Sequence, residues 1–384
     1  MQYSKTIIFP ILLTLNLFLA STVLDKFELN YAWFRVLSLA ILWSTTIFLR
    51  FQKKVISPSF NSKKNLTLFS ITILILLGLT IIPKSLLDIP HGPRCDIGWT
   101  TKDAVHTFIA NHQNPYESKW IGKIGDDSRF WGYHYGPGTI VAYLPSEFLG
   151  EPGLKIFNLI YLIVTFLISF LLVYYNEIPS ERKTALIFLA MLLCLPTRLW
   201  YETFLQGATD ILPIGLILAS VLFIQKKNLF IAGILAGFSI SCKLIPGCLF
   251  LILLIRLPIN WKLIYGIIWG LLPMVMGAVW NPETFFNNLF LFHQIKTPDS
   301  TSLYSELPST ITNYFPLLQL LILISFFIKN IKKTFDPIYL ISDLLLILIL
   351  IEITYREIHG NHLIWIFPLV GILFTQGRYG GFQK

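Results

Sequence analysis

The sequence predicts an all-α integral membrane protein, a bundle of about 11 to 13 transmembrane segments forming one polytopic domain over residues 1–384. Hydrophobic residues make up 54% of the chain and charged residues 13%, whereas soluble domains contain about 25% charged residues. The apolar residues fall in long runs, and lysine and arginine cluster in the short loops between them. Membrane topology therefore explains the net charge of +9, and we expect a lipid bilayer as partner and no nucleic acid.

The first three apolar runs set the orientation of the chain. We predict spans at Ile7–Leu24, Trp33–Leu49 and Leu66–Ile82. The first run is longer than the apolar core of a usual signal peptide and a second follows at once, so we interpret it as a retained helix. The loop at positions 50–64 is strongly basic and therefore cytoplasmic, which places the N-terminus in the cytoplasm as well.

Further apolar runs follow, and their basic turns alternate as this orientation requires, down to a basic and cytoplasmic C-terminal tail. They are Leu154–Tyr175, Thr184–Leu195, Ile211–Ile224, Leu229–Cys242, Leu244–Ile255, Leu263–Trp280, Tyr314–Ile328, Ile338–Ile353 and Leu363–Phe374. The two runs that flank Lys243 are unusually short, and Pro246 follows closely. Short paired segments broken by a charge and a proline are typical of a helical hairpin around a cavity. This hairpin places Lys243 on the outer side.

Two long polar intervals, 84–138 and 281–313, lie on the outer side in this topology. The first is rich in Asp, His, Trp and Tyr, and a loop of this length is uncommon unless it is functional or disordered. Its aromatic, glycine and proline content argues against disorder. We predict a short helix at Thr101–Asn111 and a juxtamembrane helix at Thr139–Leu149, which is too short to span.

Most residues that carry chemistry fall on this outer face. They include every histidine, namely His91, His106, His112, His134, His293, His359 and His362. They also include the acidic residues in the most polar surroundings, Asp96, Asp103, Asp126, Asp127, Glu202 and Asp210. Histidine suits proton transfer or phosphate contact near neutral pH. We therefore expect an extracytoplasmic active site in a multi-pass protein of the cell or inner membrane.

Each candidate has a structural alternative. Asp96 is either a general base or a helix-capping aspartate. Lys243 either faces an anionic group in a cavity or extends its amine to the membrane interface. His362 either binds an anion or is an interfacial residue, and Asp210 suits the N-terminus of a helix through the helix dipole.

No metal or other cofactor is predicted. His106 and His112 are six residues apart, which is the wrong spacing for two ligands on one helical face. Asp126 and Asp127 form a doublet in a glycine-flanked loop, where solvated aspartates are common. The four cysteines show no C-x-x-C spacing, which argues against structural zinc.

Five short patterns carry a family resemblance by their order along the chain. They are Asp96 followed by N-P-Y at 114–116, Y-H-Y-G-P at 133–137, G-A-T-D at 207–210, A-G-I-L-A-G-F-S-I-S-C-K-L-I-P at 232–246, and H-L-I-W-I-F-P at 362–368. In this order they resemble the GT-C superfamily of membrane glycosyltransferases. Within it they are most similar to family 87, the polyprenyl-phosphate-mannose-dependent mannosyltransferases. Two features differ from the usual pattern: two spans precede the loop-bearing one, and no D-x-D doublet surrounds Asp96.

The resemblance implies a GT-C-like bundle with a large extracytoplasmic loop that carries short juxtamembrane helices. It also implies a hexosyltransferase that moves mannose from a polyprenyl-phosphate sugar to a hydroxyl of a glycolipid or glycan acceptor, with inversion. Asp96 would be the general base. The donor phosphate would be bound by Lys243, His362, Arg94 and Arg356. The remaining substrate contacts would come from Tyr116, His134, Tyr135, Glu202, Asp210 and His359.

Two other classes of function share some of these features. A transporter or lipid flippase would also have broken helices and charges within the membrane. It should show two halves related by internal symmetry, which the sequence lacks, and it does not need the long polar interval. A non-catalytic assembly subunit would tolerate substitution of the outer polar residues.

Overall fold

The computed structural model describes residues 32–51, 87–117, 132–177, 182–194, 201–292, 302–331, 335–355 and 360–375. Every regular element within these ranges is helical. The first eight α-helices are Ala32–Phe51 (α1), Asp96–Ile109 (α2), Pro137–Tyr143 (α3), Gly153–Asn176 (α4), Arg182–Cys194 (α5), Ile211–Gln225 (α6), Leu229–Cys242 (α7) and Leu244–Leu253 (α8). The others are Trp261–Gly270 (α9), Leu272–Trp280 (α10), Pro282–Phe286 (α11), Leu303–Glu306 (α12), Ser309–Thr312 (α13), Phe315–Asn330 (α14), Pro337–Thr354 (α15) and Leu363–Thr375 (α16).

Short non-α segments connect several of these helices. Two are π-helical turns, Tyr201–Gln206 and Asn287–Leu291. Three are 3₁₀ helices, Leu144–Leu149, Leu254–Arg256 and Gly360–His362. The juxtamembrane helix predicted at Thr139–Leu149 is therefore α3 followed by a 3₁₀ helix. The interval 281–313 was predicted as a loop, but its described parts contain α11, α12, α13 and a π-helical turn.

The apolar helices are those of a membrane protein, as the composition predicts. Three described stretches are long and apolar enough to cross a bilayer: α4, α15 and Ser309–Asn330, which joins α13 and α14. Helices α9 and α10 form a fourth if they are one bent span, and α6, α7, α8 and α16 are apolar but shorter. The spans predicted at Ile7–Leu24 and Leu66–Ile82 lie outside the described residues, so the number of crossings stays a prediction.

Helix α15 lies at the centre of the bundle. Within the apolar window of α15, 83% of the residues are buried, against 33% in α4 and 17% in Ser309–Asn330. Its side chains form one core with those of α6 and α16. The outer sides of α4 and α14, with exposed residues such as Leu167 and Leu320, are left to face lipid.

The predicted break at Lys243 is confirmed. Lys243 has an extended backbone, with φ −145° and ψ 123°, between α7 and α8. A Cβ on Gly247 would lie 2.6 Å from the backbone nitrogen of Ile240, so α8 folds back closely onto α7.

One predicted span is wrong in detail. Leu263–Trp280 is two helices, α9 and α10, which meet at an angle of 43°. Pro273 begins the second helix without an amide hydrogen, and the carbonyl oxygen of Gly270 accepts the Ser241 hydroxyl at 2.9 Å. The hydrogen-bond ladder of a straight helix is interrupted at this point, which accounts for the bend.

Glycines allow α7 and α9 to cross in backbone contact. Gly233 and Gly237 of α7 face Gly266 and Gly270 of α9, and a Cβ on Gly237 would lie 2.3 Å from the carbonyl oxygen of Ile267. Small residues at such a spacing let membrane helices approach closely. The glycines of the A-G-I-L-A-G-F pattern therefore fix the position of the helix that ends at Lys243.

Replacing Gly237 by alanine should destabilise the protein by about 1–3 kcal/mol, because the new methyl group would meet the backbone of Ile267, which cannot move aside. Gly371→Ala is the matched control: its nearest atoms are the side-chain methyl groups of Leu189 and Leu193 at 3.1 and 3.2 Å, which can shift. Thermal unfolding in detergent should show a lower midpoint for Gly237→Ala than for Gly371→Ala. Equal midpoints would contradict the close crossing.

Candidate active site

The start of the polar interval docks onto the segment before α6. The amides of Arg94 and Cys95 both donate to the carbonyl oxygen of Gln206, at 2.8 and 3.0 Å. Gly207 has a left-handed φ of +80°, which glycine adopts without strain, and a Cβ on Gly98 would lie 2.7 Å from its carbonyl oxygen. The first and third patterns of the resemblance are therefore in direct contact.

Asp96 is the first residue of α2 and its side chain is exposed. The helix was expected to begin near Thr101, but it begins at Asp96 because Cys95 is the N-cap and its Sγ accepts the amide of Gly98 at 3.4 Å. The Asp96 carboxylate accepts only the amide of Ile97, at 2.8 Å, among the hydrogen bonds of the described residues. Cys95, not Asp96, is therefore the N-cap, although the Asp96 carboxylate does bind a first-turn amide of α2. The general-base role of Asp96 stays a prediction.

Other carboxylates lie near Asp96. Burial raises the pKa of the Cys95 thiol, and the charge of Asp96 raises it further. The charges of Glu202 and Asp210 raise the same pKa, which places both acids in the neighbourhood of Cys95. The thiol is therefore uncharged, and Cys95 serves as a cap.

The Y-H-Y-G-P loop is held in place by the N-P-Y pattern. The Tyr116 hydroxyl donates to the carbonyl oxygen of Tyr135 at 2.7 Å. Asn288, from the π-helical turn after α11, donates to the carbonyl oxygen of Tyr116 at 2.7 Å and accepts the amide of Gly132 at 3.0 Å. Sequence reasoning missed Asn288, because nothing in its neighbourhood distinguishes it from a loop asparagine.

The same loop packs on the end of α7. A Cβ on Gly136 would lie 2.1 Å from the carbonyl oxygen of Ser241, and one on Gly138 would lie 2.7 Å from its carbonyl carbon. The Thr139 hydroxyl donates to the carbonyl oxygen of Cys242 at 3.0 Å. Tyr135 is therefore placed beside Lys243, whose Nζ lies 5.1 Å from the centre of its ring.

A cavity of about 200 Å³ opens where these segments meet. Its walls come from the loop that contains Tyr135, the break between α7 and α8, the π-helical turn after α11, and residues at the end of α15 and the start of α16. The lining residues are Ile97, His134, Tyr135, Gly136, Cys242, Lys243, Leu244, Ile245, Leu289, Phe290, Phe292, Tyr355, His362 and Trp365. Four predicted site residues, His134, Tyr135, Lys243 and His362, thus share one cavity.

Asp96 is not one of the lining residues, but the next residue, Ile97, is part of the wall, so Asp96 lies next to the cavity. Burial raises the pKa of the Tyr135 hydroxyl, and the Asp96 carboxylate is the charge that raises it most. Tyr135 is thus close to the Lys243 amine, and the charge of Asp96 acts on its hydroxyl.

Lys243 is paired with a buried acid. Its Nζ donates to Oδ1 of Asp210 at 2.6 Å, and Asn361 donates to Oδ2 of Asp210 at 2.7 Å. Asp210 precedes α6, as predicted, but its side chain caps no amide of that helix and is fully buried. The Lys243 side chain is 11% exposed, so its amine stays accessible from the cavity.

His362 is fixed by an acid and an aromatic ring. Its Nδ1 lies 3.2 Å from Oε2 of Glu352, and its ring stacks on Trp365 with centroids 4.4 Å apart and an interplanar angle of 15°. Lys243 also lies over the Trp365 ring, at 5.4 Å. The two candidate phosphate binders therefore share one indole. Glu352 was not predicted, because it lies within an apolar run.

The other predicted site residues are placed differently. Tyr116 is buried and supports Tyr135 without lining the cavity, and Glu202 is buried near Cys95. Arg94, predicted to bind the donor phosphate, makes an ion pair with Asp88 outside the cavity lining.

The Asp88 carboxylate that engages Arg94 also accepts the amine of the fully buried Lys155 at 2.8 Å. Arg356 and His359 lie outside the described residues, as do His293, Asp126 and Asp127. Among the described residues, no group of three or more His, Cys, Asp or Glu side chains could hold a metal ion.

Asp210→Asn should lower stability by about 3–5 kcal/mol, because it leaves the Lys243 charge without its buried partner. Lys243→Met in the same chain should restore much of the loss, since methionine fills the same space without a charge. Thermal unfolding of both single variants and of the double variant measures this coupling. Additive losses would contradict the pair.

The sequence profile of glycosyltransferase family 87 matches residues 133–374, more than half of the chain and all of the cavity wall except Ile97. No curated protein sequence matches the chain.

A crystal structure of ArnT from Cupriavidus metallidurans, bound to undecaprenyl phosphate, is similar with a TM-score of 0.51 and 13% identity. The similarity covers 82% of this chain and 60% of ArnT, so the chain spans less than two thirds of that protein. At this identity the similarity shows a shared fold, which confirms the predicted GT-C-like bundle. The chain therefore belongs to glycosyltransferase family 87 and is an integral membrane protein with a GT-C fold.

Proposed function

We propose that this protein transfers a hexose, mannose, from a polyprenyl-phosphate sugar to a hydroxyl of a glycolipid or glycan acceptor. The reaction takes place on the extracytoplasmic face and inverts the anomeric centre. The observation that carries the proposal is the cavity in which Lys243 and His362 lie together beside Trp365, near Asp96. Membership of a glycosyltransferase family supports it, and so does the undecaprenyl phosphate bound to ArnT.

The donor phosphate fits the cationic side of the cavity. The Lys243 amine and the His362 ring are two donors on one wall, and each can hydrogen-bond an anionic oxygen. A phosphate leaving group is a weak base, so its departure requires neutralisation of developing charge more than protonation. Lys243 and His362 supply that neutralisation.

The isoprenoid chain fits the apolar side of the same cavity. Leu244, Ile245 and Leu289 line the wall, and Phe290 is both part of the wall and 42% exposed. A lipid donor has to enter sideways from the bilayer, and an apolar wall with an exposed aromatic edge provides such an entrance.

Asp96 acts on the acceptor. In one displacement the acceptor oxygen bonds to the anomeric carbon while the bond from that carbon to the phosphate oxygen breaks. The electron pair of the broken bond stays on the phosphate, and Asp96 takes the hydroxyl proton. Its exposed position at the cavity edge lets an acceptor arrive from the aqueous side. One carboxylate is enough, unlike the two that glycoside hydrolysis uses.

Asp96→Asn should lower the rate of sugar transfer about 10²- to 10⁴-fold and leave folding intact, because an amide keeps the shape of the side chain and cannot accept the proton. The measurement is transfer from a radiolabelled polyprenyl-phosphate sugar in membranes. Asp103→Asn is the control: Asp103 lies two turns further along α2, exposed and away from the cavity wall. Full transfer by Asp96→Asn would remove Asp96 from the mechanism.

Purified protein incubated with a panel of polyprenyl-phosphate sugars should consume the mannose donor in preference to the glucose and galactose donors. Nucleotide sugars should not be used, since the cavity joins cationic and apolar walls. Right-side-out vesicles should use an acceptor added outside, whereas inverted vesicles should not. Consumption of a nucleotide sugar instead of every lipid donor would refute the proposed donor class.

A further inference from the structure

Glu352, the acid that contacts His362, has no role in the reaction proposed above. Glu352 lies on α15, whose buried face is otherwise almost wholly apolar, and it is 1% exposed. Its Oε2 lies 3.2 Å from His362 Nδ1, and its Oε1 has no hydrogen-bond partner among the described residues. A buried, incompletely satisfied carboxylate is costly, and such groups in membrane helices tend to be functional.

We propose that Glu352 is a positioning residue for His362. Its carboxylate accepts Nδ1–H, which turns Nε2 toward the cavity, and its negative charge favours the imidazolium that donates from Nε2 to the phosphate. The inference rests on the proposed function, because it assigns Glu352 to the phosphate-binding half of that site.

The surroundings of His362 restrict its ring to this orientation. Trp365 stacks on it from α16, and Tyr355 lies 6.2 Å away at the end of α15. The ring plane is fixed by Trp365 and Nδ1 is directed to Glu352, so we assign the contact with the phosphate to Nε2. A histidine that binds an anion needs a proton on that nitrogen, and a carboxylate behind it stabilises the doubly protonated ring.

The second cation of the cavity has the same arrangement. Lys243 faces the cavity and is backed by the buried Asp210, as His362 is backed by Glu352. The 3₁₀ turn Gly360–His362 joins the two pairs, because Asn361 donates to Asp210 while the next residue contacts Glu352. Among the described residues, three titratable side chains face His362, those of Glu352, Tyr355 and Lys243. Asp210 lies behind Lys243, and His134 lies elsewhere in the cavity wall.

Glu352→Gln should reduce kcat/KM for the donor about 10- to 100-fold near neutral pH, a range typical for carboxylates behind binding histidines. Glu352→Asp, which keeps the charge, should recover part of the activity.

Two further variants separate positioning from mere folding. If Glu352 acts through His362, the double variant Glu352→Gln/His362→Gln should lose no more activity than His362→Gln alone. Asp343→Asn removes another buried acid of α15, about 13 Å along the helix, where it pairs with Arg256. It should lower stability without changing kcat/KM for the donor in the folded protein. Additive losses in the double variant would overturn the proposal.

A readout that needs no catalysis keeps the two proposals distinguishable. In ¹⁵N-histidine NMR spectra of the protein with polyprenyl phosphate added, the His362 signal is identified by its absence in His362→Gln. In the wild type, the Nδ1 proton should be shifted far downfield by its hydrogen bond to the carboxylate, and Glu352→Gln should lose that shift. An unchanged Nδ1 signal would overturn the role of Glu352 even if transfer is observed. Wild-type protein that uses no lipid donor would instead refute the proposed function.

Discussion

The ion pair between Lys243 and Asp210 is the interaction on which the site depends. Lys243 interrupts an apolar helical hairpin, where a charge without a partner would be costly. Asp210 supplies that partner from the start of α6. Asn361, in the 3₁₀ turn before α16, donates a further hydrogen bond to the Asp210 carboxylate. Segments far apart in sequence thus meet at one carboxylate, and the cavity forms beside it.

Close backbone contacts around this pair explain why several of the resembling patterns are rich in glycine. Gly136 and Gly138 let the outer loop rest on Ser241, and Gly237 lets α7 rest on α9. Gly207 provides the left-handed turn against which the segment of Asp96 docks. The patterns belong to segments that contact one another in the fold. Their combined order along the chain was therefore more informative than any single pattern.

The helices were predictable because each apolar run is long and ends at charged or turn residues; α6, for example, is Ile211–Gln225 against a predicted Ile211–Ile224. Partners across the fold were not predictable, since a lone charge in an apolar run does not reveal what it faces. Glu352 was hidden in this way, and Arg94 was assigned to phosphate although Asp88 engages it. Pro273 marks the bend between α9 and α10 in the local sequence, but the Ser241 hydroxyl that binds the Gly270 carbonyl oxygen comes from another helix.

Pairing each cation with a buried acid has a consequence for catalysis. Lys243 is paired with the buried Asp210, and His362 contacts the buried Glu352. In the proposed reaction, the donor phosphodiester carries one negative charge, and the polyprenyl phosphate that leaves carries close to two near neutral pH. The added charge appears as the sugar bond breaks. In that reaction, Lys243 and His362 would bind the transition state more strongly than the donor, and this difference would lower the barrier.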